Sequence, residues 1–136
     1  MVLHLYTDGG SRNNPGPAGI GVVLKGTSGN VLEKCGKYLG IKTNNEVEYL
    51  ALLEGLKIAK KYNPECLICF MDSRLVVNQL NGIFKIKNGR MRELVLQVKQ
   101  IEPKFQKVEY RYIPREKNEE ADFLVNQALD KKLSKT

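Results

Sequence analysis

One histidine, three cysteines and no long apolar run are found among the 136 residues. Each scarcity closes off a class of function. With His4 alone and no His/Cys cluster at ligand spacing, a zinc centre and a thiol enzyme are both excluded. His4 itself reads as structural. An odd number of cysteines fits a reducing compartment better than a disulfide framework. Cys66 and Cys69 have the spacing of a redox pair, yet both lie in the apolar run Cys66 to Met71, which reads as a strand. Positions i and i+3 of a strand point to opposite faces about 10 Å apart, too far for a disulfide, so they are expected to be buried thiols. The opening run Val2 to Tyr6 is too short for the apolar core of a signal peptide, and no stretch approaches a membrane span. A cytoplasmic monomer with no membrane partner is expected. Internal repeats, linkers and low-complexity tracts are absent as well.

What is present is ordinary in amount and unusual in charge. The 42% apolar and 27% charged residues are those of a soluble globular chain and exclude a largely disordered one. A single domain, 1–136, is expected, and it buries roughly two-thirds of its unfolded surface without a disulfide or structural metal. Twenty-two basic residues against fifteen acidic ones leave a net charge of +7. That balance favours a polyanionic partner, with nucleic acid ahead of membrane because no basic amphipathic helix stands out.

The order of elements reads β-β-β-α-β-α-α-β-α. A strand from Val2 to Asp8 precedes a turn-rich segment, Gly9 to Pro17. Strands from Ala18 to Lys25 and Val31 to Leu39 flank Thr27-Ser28-Gly29-Asn30, a hairpin signal. Thr43-Asn44-Asn45-Glu46 has the form of a capping box and starts a helix that Tyr62-Asn63-Pro64 stops. A buried strand from Glu65 to Asp72 follows, then helices from Ser73 to Leu80 and from Met91 to Ile101. Val108 to Ile113 is the last strand. Asn118 caps a final helix running to Lys132, with residues 133–136 a frayed tail. This alternation implies an α/β fold, a five-stranded mixed sheet flanked by helices. The first and fourth strands lie side by side and parallel, joined by a right-handed crossover.

Four carboxylates break the patterns around them. Two apolar strands stop at an aspartate, Asp8 and Asp72, and parallel neighbours set such residues together at the end where open α/β sheets carry their sites. In the helix that follows Thr43, with about 100° per residue, Val47, Ile58, Ala51, Gly55, Ala59, Leu52, Leu56 and Tyr49 fill one apolar arc. Glu48 falls in its middle, where an unpaired charge costs several kcal/mol and no basic residue shares the face. In the last helix, Asp122 lies at the edge of the arc of Leu124, Ala128, Ala121, Val125 and Leu129. An acid in a first helical turn also complements the helix dipole, so Asp122 gains its weight from the other three. Four clustered carboxylates repel one another unless cations intervene. Oxygen-only ligation suits magnesium or manganese rather than zinc, and two such ions serve phosphoryl transfer.

These residues resemble the ribonuclease H family, type I, over almost the whole chain. Asp8-Gly9-Gly10-Ser11 with Asn14-Pro15-Gly16-Pro17-Ala18-Gly19 looks like its opening signature. Thr43-Asn44-Asn45 with Glu48-Tyr49 looks like the second, Asp72-Ser73 the third, and Asn118-Glu119-Glu120-Ala121-Asp122 the fourth. Four motifs in the right order make a specific signal. The resemblance implies a ribonuclease H-like fold, two Mg2+ ions (Mn2+ as an alternative) on Asp8, Glu48, Asp72 and Asp122, and these same four residues as the catalytic set. It implies hydrolysis of the RNA strand of RNA–DNA hybrids to 5′-phosphate and 3′-hydroxyl ends. It also implies that Asn14, Asn44 and Asn45 sense 2′-hydroxyls in the minor groove, in keeping with the way RNA is told from DNA. Thr43 matches a position contacting a DNA-strand phosphate, beside its capping role.

The chain also departs from the family. The loop position where many members carry a histidine, credited with product release, is taken by Arg115. A long basic protrusion between the middle helices is replaced by Phe84 to Arg92, with four basic residues from Lys85 onward; Lys85 and Lys87 are expected to bind substrate phosphates, and Arg115 to bind substrate as well. This compact form resembles a subgroup of archaea and some bacteria that also cuts RNA–RNA duplexes. Double-stranded RNA as an additional or main substrate, and a non-catalytic hybrid-binding module, are the competing readings.

Overall fold

The computed structural model describes residues 1–83 and 85–134. Its centre is a five-stranded sheet in the order β3-β2-β1-β4-β5. β1 (Val2–Ser11), β2 (Gly16–Gly26) and β3 (Val31–Lys42) form an antiparallel meander. β4 (Cys66–Met71) pairs parallel with β1, and β5 (Lys107–Tyr112) parallel with β4. The mixed sheet and the neighbouring first and fourth strands are those expected from the order of elements.

Helices cover both faces. α1 (Asn44–Lys60) starts where expected: Thr43 Oγ1 accepts the Glu46 N–H at 3.2 Å and Glu46 Oε1 accepts the Thr43 N–H at 3.2 Å, a complete capping box. α1 packs with α2 (Arg74–Leu80) and α3 (Gly89–Ile101) on the face that carries Leu3, Leu5, Leu67, Cys69 and Met71, all buried. α4 (Glu119–Leu133) lies on the other face over β1, β2 and β3. Glycines let both helices close on the sheet. A Cβ on Gly9 would stand 2.4 Å from the Val47 carbonyl oxygen of α1, and one on Gly21 would stand 2.0 Å from the Ala121 carbonyl oxygen of α4.

Several boundaries differ from the pattern-based ones. Most of the turn-rich segment Gly9 to Pro17 is strand: β1 runs to Ser11 and β2 starts at Gly16, leaving residues 12–15 as the turn. Glycine and proline count as breakers in isolation, but here the cross-strand ladder pairs Gly9 with Ile20 and Gly10 with Gly19. β3 likewise continues to Lys42. α3 begins two residues early because Asn88 caps it, its Oδ1 accepting the N–H groups of Arg90 at 2.8 Å and Met91 at 3.1 Å. Leu133 ends α4 and Ser134 is its C-cap, so neither belongs to a frayed tail; residues 135 and 136 of that expectation, and Phe84 of the loop, lie outside the described residues. Short 3-10 turns, Glu102–Lys104 and Arg115–Lys117, precede β5 and α4.

The three cysteines are free, as the strand geometry requires. Cys69 is fully buried and its thiol is pushed up by burial, whereas Cys66, on the opposite face, is only half-buried. His4 packs edge-on against Phe70, ring centroids 5.3 Å apart, in a structural role. None of the described helices is long and apolar enough to cross a membrane.

Candidate active site

The carboxyl ends of β1 and β4 open into a cleft of about 550 Å³ lined by Asp8, Asn44, Asn45, Glu48, Asp72, Arg115 and Asp122 among others. Asp8 is paired into the sheet through Gly21 of β2, and Asp72 follows directly on β4. α1 passes so close to Gly9 that Glu48 reaches over the strand end, and its Oε1 accepts the Gly9 N–H at 3.1 Å. Oxygen atoms of Asp8, Glu48 and Asp72 lie within 4.8 Å of one another.

Such a cluster is unstable as three anions. Burial and the neighbouring Asp72 push Asp8 up to about 7. Burial, and then Asp8, hold Glu48 well above the usual carboxylate range. Burial raises Asp72 too, with its Asn118 hydrogen bond acting in the opposite sense. Glu48 is 8% exposed, and its Oε2 is buried with no hydrogen-bond partner among the described residues. An oxygen-only donor set with an orphaned, inward acceptor fits a hard divalent cation, which would satisfy that atom and offset the repulsion at once.

Asp122 enters from α4, on the other side of the sheet. It lines the same cleft but stands outside the 4.8 Å triad. Its Oδ1 lies 3.5 Å from the Arg115 guanidinium, and its Oδ2 accepts from Asn126 Nδ2 at 3.4 Å. Arg115 is 79% exposed at the rim.

The three asparagines expected to sense RNA are exposed, and two are locked together. Asn14 Oδ1 accepts the Asn44 N–H at 3.0 Å, and Asn44 Oδ1 accepts the Ser11 N–H at 2.9 Å. With each oxygen engaged, the Nδ2 groups are what remain to offer a ligand, so Asn14 and Asn44 present donors. Asn45 lines the cleft beside them. Arg12 ties the turn that carries Asn14 to α4 through Asp130, 2.6 Å away. Thr43 is occupied with its cap and is not among the cleft-lining residues. Lys85 and Lys87 are exposed with no ion pair among the described residues, whereas Arg90 pairs with Glu46 at 3.0 Å and Glu93 at 3.1 Å. Arg92 Nε donates to the Ile86 carbonyl at 2.6 Å, so of the four basic residues the two lysines are the ones without a partner among the described residues.

Pattern reading misses one residue of this site. Asn118 precedes α4 and has the chemistry of a cap, but its side chain makes no capping bond. It turns inward to the carboxylates instead, a contact without a local signal.

Comparison with known proteins agrees with this architecture. A family model described as reverse transcriptase-like matches residues 6–128. A bifunctional protein of Mycobacterium tuberculosis, Rv2228c, is 39% identical over 131 residues, covering 96% of this chain and 36% of its own length. The chain thus spans about a third of the first curated relatives it matches. The crystal structure of RNase H1 from the archaeon Halobacterium salinarum superposes with a TM-score of 0.94 at 35% identity, over 96% of this chain and 99% of that one. LC11-RNase H1, solved in complex with an RNA/DNA hybrid, gives a TM-score of 0.93 at 40% identity over the same shares. With its four acids standing in order on the sheet and helices of this fold, and with relatedness that runs through nearly all of two solved enzymes, the chain belongs to the type I ribonuclease H family.

Proposed function

We propose that the protein is an endoribonuclease that hydrolyses the RNA strand of RNA–DNA hybrids, with Mg2+ as its cofactor and Mn2+ as a substitute. The observation that carries this reading is the triad of Asp8, Glu48 and Asp72 within 4.8 Å, with the buried Glu48 Oε2 left unpartnered among the described residues. These three residues, with Asp122 completing the set from α4, would hold the ions. Two divalent ions there would supply the charge that stabilises the attacking and leaving oxygens of a phosphoryl transfer, leaving 5′-phosphate and 3′-hydroxyl ends.

The surrounding residues handle the substrate. The outward Nδ2 groups of Asn14 and Asn44, with Asn45, donate to 2′-hydroxyl oxygens and align the RNA strand over the carboxylates. Lys85 and Lys87 hold phosphates and add affinity without reading sequence. Arg115 offers a mobile-length cation at the rim, next to Asp122. An intact triad with raised carboxyl groups is an expensive arrangement for a module that merely binds, which favours catalysis. Matched RNA–DNA, RNA–RNA and DNA–DNA duplexes incubated with Mg2+ or Mn2+ test the proposal. Cleavage confined to the RNA strand of the hybrid is expected. Faster cleavage of the RNA–RNA duplex would move the main substrate to double-stranded RNA, and binding without cleavage in either metal would leave a binding module.

A further inference from the structure

Asn118 is a deeply placed polar side chain beside the carboxylates, 2% exposed. Its Nδ2 donates to the backbone oxygen of Thr7 at 2.9 Å and to Asp72 Oδ2 at 3.2 Å. Its backbone oxygen accepts the Asp122 N–H at 3.1 Å. One residue therefore touches the peptide unit just before Asp8, the carboxylate of Asp72 and the backbone of Asp122, on three separate elements. The amide has only one workable orientation. Turned over, it would set its oxygen against a carbonyl and a carboxylate, neither of which carries a proton to share. In the orientation it holds, Oδ1 is buried without a partner among the described residues. Asparagine ahead of a helix ordinarily accepts from the first turn. Here that bond is given up and an acceptor is stranded, while both donors are spent on the site.

We propose that Asn118 is a positioning residue for the metal-holding carboxylates, fixing Asp72 through Oδ2 so that Oδ1 is presented to Asp8 and Glu48. The inference rests on the metal-dependent reading of the site. A carboxylate turns easily about its last torsion, which has a broad well, so a free Asp72 would sample orientations with neither oxygen in place. A neutral amide restrains that rotation without cancelling the charge a cation needs. A lysine or arginine in the same place would compete with the ion. Because the same residue carries the first turn of α4, the orientation of Asp72 and the position of Asp122 are set together.

The test compares Asn118→Ala with the wild-type protein, first by calorimetric titration with Ca2+, then by hybrid cleavage across a range of Mg2+. The half-saturating metal concentration is expected to rise about 10–100-fold, the usual consequence of losing a support behind a ligand. Excess Mg2+ is expected to restore most of the cleavage rate, and KM for the hybrid in saturating metal to stay near its wild-type value. A merely structural role would lower the melting temperature and leave the metal dependence alone. Half-saturation equal to wild type would overturn the proposal. If the variant does not fold, the wild-type side-chain amide of Asn118 is followed by 1H–15N NMR during the Ca2+ titration. Its signals are expected to shift along the same curve as the backbone amide of Gly9, which is bonded to Glu48; signals that stay still while Gly9 moves would overturn the proposal. A wild-type protein that binds no divalent ion would overturn the functional reading together with this one, whereas a cleaving wild type with an unaffected variant would overturn this one alone.

Discussion

Glu48 accepts the backbone N–H of Gly9 at 3.1 Å through Oε1, while its Oε2, equally buried, has no partner among the described residues. One oxygen holds the helix to the strand end and the other is kept for something outside the chain. Glu48→Gln preserves the first task, since a glutamine oxygen accepts the same N–H, and removes the charge from the second. The variant should keep its fold and lose cleavage by more than the 10–100-fold or so typical of losing a mere support. Circular dichroism and a hybrid-cleavage assay check it; activity within tenfold of wild type would take Glu48 out of the site.

The raised carboxyl groups make the metal-free protein sensitive to pH. Asp8 is held up at about 7, against 3.8 for the free group, mainly by burial and next by Asp72. Between those values the folded chain keeps a proton that the unfolded chain has released, so stability falls as pH rises from about 4 to 7 and stays low above. Added divalent cation should reverse the loss. Asp8→Asn should flatten the decline and raise the melting point of the metal-free protein at pH 8, by about 4 °C for each kcal/mol relieved, while abolishing cleavage. Thermal melts in chelator from pH 4 to 8 provide the measurement, and an unchanged slope in the variant would assign the pH dependence to other groups.

The engaged oxygens of Asn14 and Asn44 permit a sharp substitution. Asn44→Asp still accepts the Ser11 N–H but no longer offers a donor, and Asn14→Asp does the same towards Asn44. Each should reduce the preference for RNA–DNA over DNA–DNA by the worth of one hydrogen bond, about 0.5–1.5 kcal/mol. Competition binding in Ca2+ reads the ratio directly, with both duplexes facing the same added charge. An unaltered ratio in both variants would remove these residues from 2′-hydroxyl recognition.

Gly9 is where α1 comes closest to the strand. Gly9→Ala would put a methyl group 2.4 Å from the Val47 oxygen and 2.8 Å from the Glu48 nitrogen, both backbone atoms that yield only if the helix moves. Loss of roughly 1–3 kcal/mol or more is expected from overpacking, together with loss of cleavage as Glu48 is displaced. Gly89→Ala, with nothing within 4 Å of the added carbon, serves as the neutral control. Equal melting points for the two variants would contradict the close approach.

Lys85 and Lys87 are exposed and make no ion pair among the described residues, unlike Arg90, and Arg92 is engaged by a carbonyl. Neutralising both should make the log–log salt dependence of hybrid binding shallower by roughly 0.9 per contact, close to two units on a B-DNA-like scale. The cleavage rate at saturating substrate should hardly change. A salt slope equal to wild type would show these lysines to be ordinary solvated charges.

Much of this was legible from residue order because periodicity reports which face a residue occupies. Glu48 in the middle of an apolar arc, Asp72 at the end of an apolar strand, and the capping box at Thr43 are all statements about one element at a time, and each survives folding, whereas Asp8 stands inside β1, which runs on to Ser11. The Gly9 to Pro17 segment is where local rules misled. Its glycines look like breakers until the ladder between β1 and β2 and the backbone of α1 are in place, and then Gly9 is what allows α1 to approach the sheet, as Gly21 beyond the segment does for α4.

The chain alone therefore determined the element types, the neighbouring parallel strands and the four acids that break their patterns, since these follow from local propensity and from the cost of burying charge. Only the tertiary structure decided that Asp8, Glu48 and Asp72 meet within 4.8 Å while Asp122 stands outside that distance. It alone turned Asn118 from a helix cap into a clamp on Asp72. The reason is physical: a hydrogen bond between residues 46 positions apart has no period and no local signature. It exists because the distance between α4 and the ends of β1 and β4 is set by how closely their backbones can pack.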